Sequence, residues 1–204
     1  MKRAKQLAKT RNAILKTATK LFLENGFGST STRDIAKQIG ITQPALYHHF
    51  ADKEELYLDV LTELCGKVRQ ETNRVLRKAD LDPEERLYQI CKVYLKYHPL
   101  SIYGQYQAAL HQLTPSAQHK LNMIFTMDYL EPLSQYFRLP DVQLRPDLMP
   151  KEAAELLISS LAPLFGTFQQ IGGRALNTEQ RQKLIIDAIM TGITNKAHKE
   201  DPTK

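Results

Sequence analysis

Residues Thr30–Leu56 read TSTRDIAKQIGITQPALYHHFADKEEL, and the placement of caps and apolar residues in this stretch defines the architecture. Ser31 is an N-cap with Asp34 at the third helical position, and Ile35, Ala36 and Ile39 form the buried stripe of a short helix that Gly40 stops. Thr42 caps a second short helix carrying Pro44 in its first turn, where the missing N–H costs little. Leu46 and Phe50 lie one turn apart and face Ile35, Ile39 and the preceding helix. Pro44, Ala45, Tyr47 and His48 then fall on the free side, with Gln43 at the helix's N-terminal end. Two short helices joined in this way form a helix-turn-helix candidate. The residue types suit a major groove: Gln pairs bidentately with adenine, Ala touches a thymine methyl, and Tyr and His donate to phosphate oxygens. Many helical corners share the periodicity, so the pattern alone leaves open whether this one reads nucleic acid.

On either side of this stretch, helix-period patterning dominates and predicts an all-α chain. A first helix spans about residues 10–25, with Ile14, Leu15, Ala18, Leu21 and Phe22 on one face and Gly26 as C-cap. Asp52-Lys53-Glu54-Glu55 opens a long fourth helix with a capping-box pattern that runs to the late 70s. Asp82-Pro83 starts the next, which ends near His98-Pro99 because the residue before proline is pushed out of the α region. Helices follow over about 101–112 and from Thr114-Pro115 to the proline-punctuated loop 140–150. Two last helices are expected over about 151–171 and 178–197, separated by Gly172-Gly173, with Pro163 kinking the former. The domain division expected is 1–56 and 57–204.

Bulk properties exclude several classes. A chain of 204 residues with 42% hydrophobic and 25% charged residues buries a real core, and no apolar run reaches the length that spans a bilayer. The basic N-terminus lacks an apolar h-region, so a secretory signal is not expected and the cytoplasm is. Cys65 and Cys91 match neither a metal spacing nor a disulfide framework and read as buried thiols. No Walker A, Rossmann glycine pattern, HExxH or nucleophile elbow is present, so neither an enzyme nor a cofactor is expected. Residues 1–53 hold ten Lys/Arg against three Asp/Glu, a balance of +7, while the remainder carries −1. Such asymmetry points to a polyanion, either nucleic acid or an anionic membrane surface, with a solvated basic tail as the plain alternative. His48-His49 holds no metal, because adjacent helical histidines diverge and no acidic or thiol partner lies at ligand spacing.

The segment from about Ile14 to Val60 resembles the N-terminal signature of the TetR family of transcriptional regulators. The Leu46-Tyr47-His48-His49-Phe50 and Asp52-Lys53-Glu54-Glu55-Leu56 segments, at this distance after Ile35-Ala36 and Gly40, carry the resemblance. The recognition helix is similar to that of the tetracycline repressors within the family, with Ala45 where those carry Thr. The resemblance implies Arg33 and Gln43 as base readers and Pro44 and Ala45 as apolar groove contacts. It implies Tyr47, His49 and Lys53 as phosphate contacts, with Thr32 and Thr42 reaching phosphates as well. Lys53 also sits in a helix's first turn, where backbone amides favour an anion. The arm Lys2, Arg3, Lys5 and Lys9 adds non-specific attraction or is a frayed tail.

The resemblance further implies a repressor that leaves a palindromic operator when a small molecule binds, with a ligand pocket and a homodimer interface in the C-terminal half. An activator, a nucleoid-associated factor or a protein-controlled switch is the alternative. The dimer is expected through the last two helices, where Leu157, Leu161, Leu164, Phe168 and Ile171 face Leu184, Ile185, Ala188, Ile189 and Gly192. The same residues could instead complete the core of one chain. For the ligand, Tyr94, Tyr97, Tyr103 and Tyr106 crowd together with Tyr88, His98, Gln107 and His111, and Phe165 joins them as a candidate alongside Phe125 and Met127. Rings with polar tips suit an apolar pocket, and equally suit ordinary core and half-exposed surface.

Overall fold

The computed structural model describes residues 2–98, 100–161, 164, 170–171 and 174–194. Their order is α1 (Lys2–Ser29), α2 (Thr32–Gln38), α3 (Gln43–Tyr47), α4 (Lys53–Leu76), α5 (Pro83–Tyr97), α6 (Ile102–Leu110) and α7 (Pro115–Phe125). A π turn (Thr126–Leu130), α8 (Glu131–Phe137), α9 (Pro150–Ser160), β1 (Gln170–Ile171), β2 (Arg174–Ala175) and α10 (Thr178–Ile193) follow. Among the described residues the fold is all-α, with one two-residue antiparallel pairing, Gln170 opposite Ala175. Among the described residues no helix is long and apolar enough to cross a membrane.

Local chemistry explains most helix starts. Ser31, Thr42, Asp52, Asp82, Thr114 and Asn177 each accept a hydrogen bond from the backbone N–H three residues on, closing an otherwise unpaired helical donor. Gly40 has φ 71°, a left-handed conformation that lets the chain turn from α2 into α3.

Two apolar clusters organise the chain. The first joins Ile14, Ala18 and Phe22 of α1 to Ile35, Leu46, Phe50 and Leu56, and takes in Ala109, Leu113, Ala117 and Leu121 from the α6–α7 corner. The second contains Val68 of α4, Ile90 and Tyr94 of α5, Tyr129, Leu133 and Tyr136, Leu157 of α9 and Met190 of α10. Helix α4 belongs to both and packs against α1, α5, α7 and the π turn. Leu61 and Ile124 border the two clusters.

Three elements depart from the sequence expectations. Helix α1 begins at Lys2, two turns before the expected start, because Ala4, Lys5, Leu7, Ala8 and Lys9 are good helix formers even without a buried stripe. Gly26 interrupts it at φ 78°, ψ 173°. The single helix expected from Thr114 is α7 and α8 joined through the π turn. Pro132 has no N–H for the carbonyl four residues back, and widening the preceding turn accommodates its ring.

The helix expected over 151–171 ends at Ser160, and Gln170–Ile171 is extended. Near that end the Ser159 hydroxyl donates to the carbonyls of Glu155 and Leu156 at 2.8 and 3.0 Å. Pro163, Phe165, Phe168 and Gly172-Gly173, and the Ile171 side chain, lie outside the described residues.

The residues expected along a dimer seam divide. Leu157 and Leu161 are 0% and 1% exposed and fill the core of their own chain, whereas Leu184 is 44% exposed and Ala188 and Gly192 are exposed. Leu157→Ala should therefore cost about 2–5 kcal/mol in urea unfolding. Leu184→Ala should stay within about 0.5 kcal/mol of the parent at protein concentrations where chains do not associate.

Candidate nucleic-acid interface

Helices α2 and α3 meet through Thr32, the first residue of α2. Thr32 is buried, and its hydroxyl accepts from Gln43 Nε2 at 2.9 Å and shares a hydrogen bond with the Tyr47 hydroxyl at 3.0 Å. The hydroxyl thus holds two side chains of α3. The amide nitrogen of Gln43 is engaged by Thr32, and its carbonyl oxygen is chemically an acceptor. Gln43, Ala45 and His49 are half-buried, while Arg33, Thr42, Pro44, Tyr47 and His48 are exposed. Thr42 uses its hydroxyl as the cap, 3.3 Å from Ala45 N.

Lys53 stands at the start of α4 with its ammonium 4.2 Å from the centre of the Phe27 ring, and burial lowers its pKa. Arg11 is engaged elsewhere, in an ion pair with Asp59 and 4.8 Å above the Phe50 ring. The α1 cations Lys5, Lys9, Lys16 and Lys20 are exposed, as are Arg33 and Lys37 on α2. The arm is thus helical from Lys2 onward; the side chains of Lys2 and Arg3 lie outside the described residues.

The start of α4 is tied to the rest of the chain. The Glu54 carboxylate accepts from Thr114 N at 2.8 Å and Thr114 Oγ1 at 2.6 Å, joining α4 to the N-terminus of α7. Gln105 of α6 donates to the Leu23 carbonyl of α1 at 2.9 Å.

The expected ligand residues do not form one group. Tyr103, Tyr106 and Gln107 line a cleft of about 610 Å3 between α6, α7, the π turn and α9, together with Asn122, Glu155 and Leu156. His98 and Tyr106 line a smaller cavity of about 30 Å3 with Tyr57, Cys65 and Tyr129. Tyr94 is fully buried in the second cluster, its hydroxyl donating to the Tyr129 carbonyl at 2.8 Å. Tyr97 donates to Glu71, and His111 is exposed at the end of α6, away from both spaces. Tyr57, Cys65 and Tyr129 carried no pocket signal in the sequence, because α4, which holds the first two, and the π turn, which holds the third, are far apart in the chain.

Burial sets the protonation of the cavity wall. Desolvation pushes the Cys65 thiol up to about 12 and holds the Tyr129 phenol well above its ordinary range. It brings His98 down to about 4.

An exposed α3 packed against α2 on an all-helical scaffold defines a helix-turn-helix protein. Residues 14–60 match the family described as bacterial regulatory proteins, tetR family. Over 80 residues the chain is 36% identical to the HTH-type transcriptional repressor BepR of Brucella suis, covering 39% of this chain and 36% of that protein. Over 58 residues it is 43% identical to the HTH-type transcriptional repressor KstR2 of Mycobacterium tuberculosis, 28% of this chain and 29% of that one. The matches thus span well under half the length of these curated relatives. A TetR transcriptional regulator from Legionella pneumophila has the same fold, with TM-score 0.71 and 19% identity over 89% of this chain and 96% of that one. The TetR-family regulator PfmR of Thermus thermophilus superposes with TM-score 0.62 at 23% identity, over 87% and 97%. Residues 14–60 are thus similar to the N-terminal helix-turn-helix segment of the tetR family, and the described residues share the fold of solved TetR-family regulators.

A neutral buried His98 carries a pH signature. The unfolded chain binds a proton at the ordinary histidine value of 6.5, while the folded chain refuses it until about 4. Stability from this group is therefore complete above 6.5 and is lost as pH falls toward 4. Over that window His98→Phe should flatten the fall in unfolding free energy, by up to about 1.4 kcal/mol per pH unit, in urea titrations compared with the parent.

Proposed function

We propose that the chain is a sequence-specific transcriptional regulator, a repressor that binds a palindromic operator as a homodimer and leaves it when a small molecule binds. The observation that carries the reading is the α2–α3 pair, where Thr32 presents Gln43 and Tyr47 on a surface flanked by exposed cations. Residues 1–56 act as the reading domain and 57–204 as the regulatory one. Arg33 and Gln43 read bases, Pro44 and Ala45 meet the groove wall, and the hydroxyls of Thr42 and Tyr47 approach the DNA backbone. His48, His49 and Lys53 add phosphate contacts. Repression is supported by the names of BepR and KstR2, both repressors.

The α10 face bearing Leu184, Ala188 and Gly192 pairs with its copy about a two-fold axis, which sets two recognition helices at a fixed spacing. Tyr57, Leu61 and Cys65 of α4 line the inner cavity, and the same helix starts beside the reading head. A ligand that moves α4 against α7 changes the separation of the two heads, and Glu54–Thr114 is the tie through which the shift is felt.

Selection of bound sequences from random DNA at near-physiological salt tests this reading, because sequence choice cannot come from the basic helix alone. An inverted repeat is expected, with preference at one position per half-site relaxed in Gln43→Ala and affinity lowered by about 1–3 kcal/mol. Tight, salt-sensitive binding with no enriched motif would contradict it.

A further inference from the structure

Behind the open cleft, the small cavity has one polar group in its wall with a nitrogen to spare. His98 is 5% exposed; its Nε2 meets the Tyr129 hydroxyl, and its Nδ1 has no partner among the described residues. Hydrogen accounting shows which kind of group is orphaned. The Tyr129 oxygen has one hydrogen and two neighbours, His98 Nε2 and Cys65 Sγ at 3.4 Å. The thiol donates its own hydrogen to the phenol, and sulfur is a weak acceptor, so the phenol hydrogen goes to Nε2. A neutral imidazole that accepts at Nε2 carries its hydrogen on Nδ1. The unpaired group is a buried donor, which is costly until an acceptor meets it.

The cavity and the cleft are separated by little. Tyr106 and Phe125 line both, and their rings stack with centroids 4.2 Å apart at 16°. Tyr106 and Phe125 thus form a wall common to both spaces, and a turn of Tyr106 that released its hydroxyl from Asn122 Oδ1, 2.6 Å away, would join them. A cation is refused by a donor. A carboxylate would lie beside a neutral imidazole among Leu61, Leu121 and Ile124, and none of the residues lining the small cavity is a Lys or Arg.

We propose that His98 anchors the effector site and that the effector is an uncharged molecule with a flat apolar ring and one hydrogen-bond acceptor, such as a carbonyl, on a short stem. The ring lies in the cleft against Tyr103 and Tyr106, and the acceptor takes the Nδ1–H of His98. This assignment rests on the reading of the chain as an effector-controlled regulator.

Three probes of one shape test it: benzylacetone, the neutral carbonyl; hydrocinnamate, its anionic counterpart; and isopentylbenzene, the hydrocarbon. The chain has no tryptophan, so tyrosine emission reports binding directly. Benzylacetone should bind about tenfold tighter than isopentylbenzene, the gain from pairing one buried donor. Hydrocinnamate should bind more weakly than the ketone. His98→Phe keeps a ring of similar size without nitrogens and should reduce the ketone to the hydrocarbon's affinity. Nitrogen-15 resonances of the His98 imidazole in the unaltered protein should show the hydrogen on Nδ1 and a shift on adding benzylacetone, which keeps the proposal exposed should His98→Phe fold poorly. A hydrogen on Nε2, equal binding of ketone and hydrocarbon, preference for hydrocinnamate, or no binding of any probe would overturn it. Equal binding beside a selected DNA motif removes the site and leaves the DNA reading intact. Ketone binding with unchanged operator affinity leaves the site and removes effector control.

Discussion

Helix α4 has to be buried twice. Its first turns, with Leu56, Tyr57 and Val60, close the cluster under α1–α3, and its later turns, with Cys65, Val68 and Val75, enter the cluster built from α5 and α7–α10. Neither cluster is complete without it, and a helix packed on both cannot move in one without disturbing the other. The Glu54 carboxylate, fixed on the α7 cap, restricts the same helix at its start. The orientation of α2 and α3 thus follows from how α4 is held by residues far along the chain.

Within the reading head, order is set by a single hydroxyl. Thr32 is turned inward, and through it the α3 side chains Gln43 and Tyr47 are held before any partner arrives. Side chains already fixed lose less conformational freedom on binding, so more of each contact survives as affinity. The inner cavity follows a different logic: its aromatic and thiol groups are kept neutral by burial, and recognition there depends on which hydrogens are left unpaired.

Caps were legible because they are local. Ser31, Thr42, Asp52, Asp82 and Thr114 each act within three residues, and each stands where a helix starts. The family signature at Thr30–Leu56 was legible for the same reason. Apolar periodicity identified faces but not what covers them, which is why Leu157 and Leu161 read as a seam and lie in the core. The start of α1 had no stripe to mark it. Thr32 and its partners are 11 and 15 residues apart, His98 and Tyr129 are 31 apart, and Cys65 and Tyr129 are 64 apart. Only the fold brings such groups together.

Whether the reader is set before DNA arrives can be measured by comparing Thr32→Ser with Thr32→Val. The two differ in the hydroxyl while keeping a small side chain at the start of α2. The quantity to measure is the ratio of affinities for the selected repeat and for random DNA at fixed salt, with thermal unfolding as a check on folding. Thr32→Ser is expected to keep the parent ratio, and Thr32→Val to lower it about tenfold, as when a polar reader loses its partner. Equal ratios for the two variants would mean that the hydroxyl does not order the reader, and the account would fail.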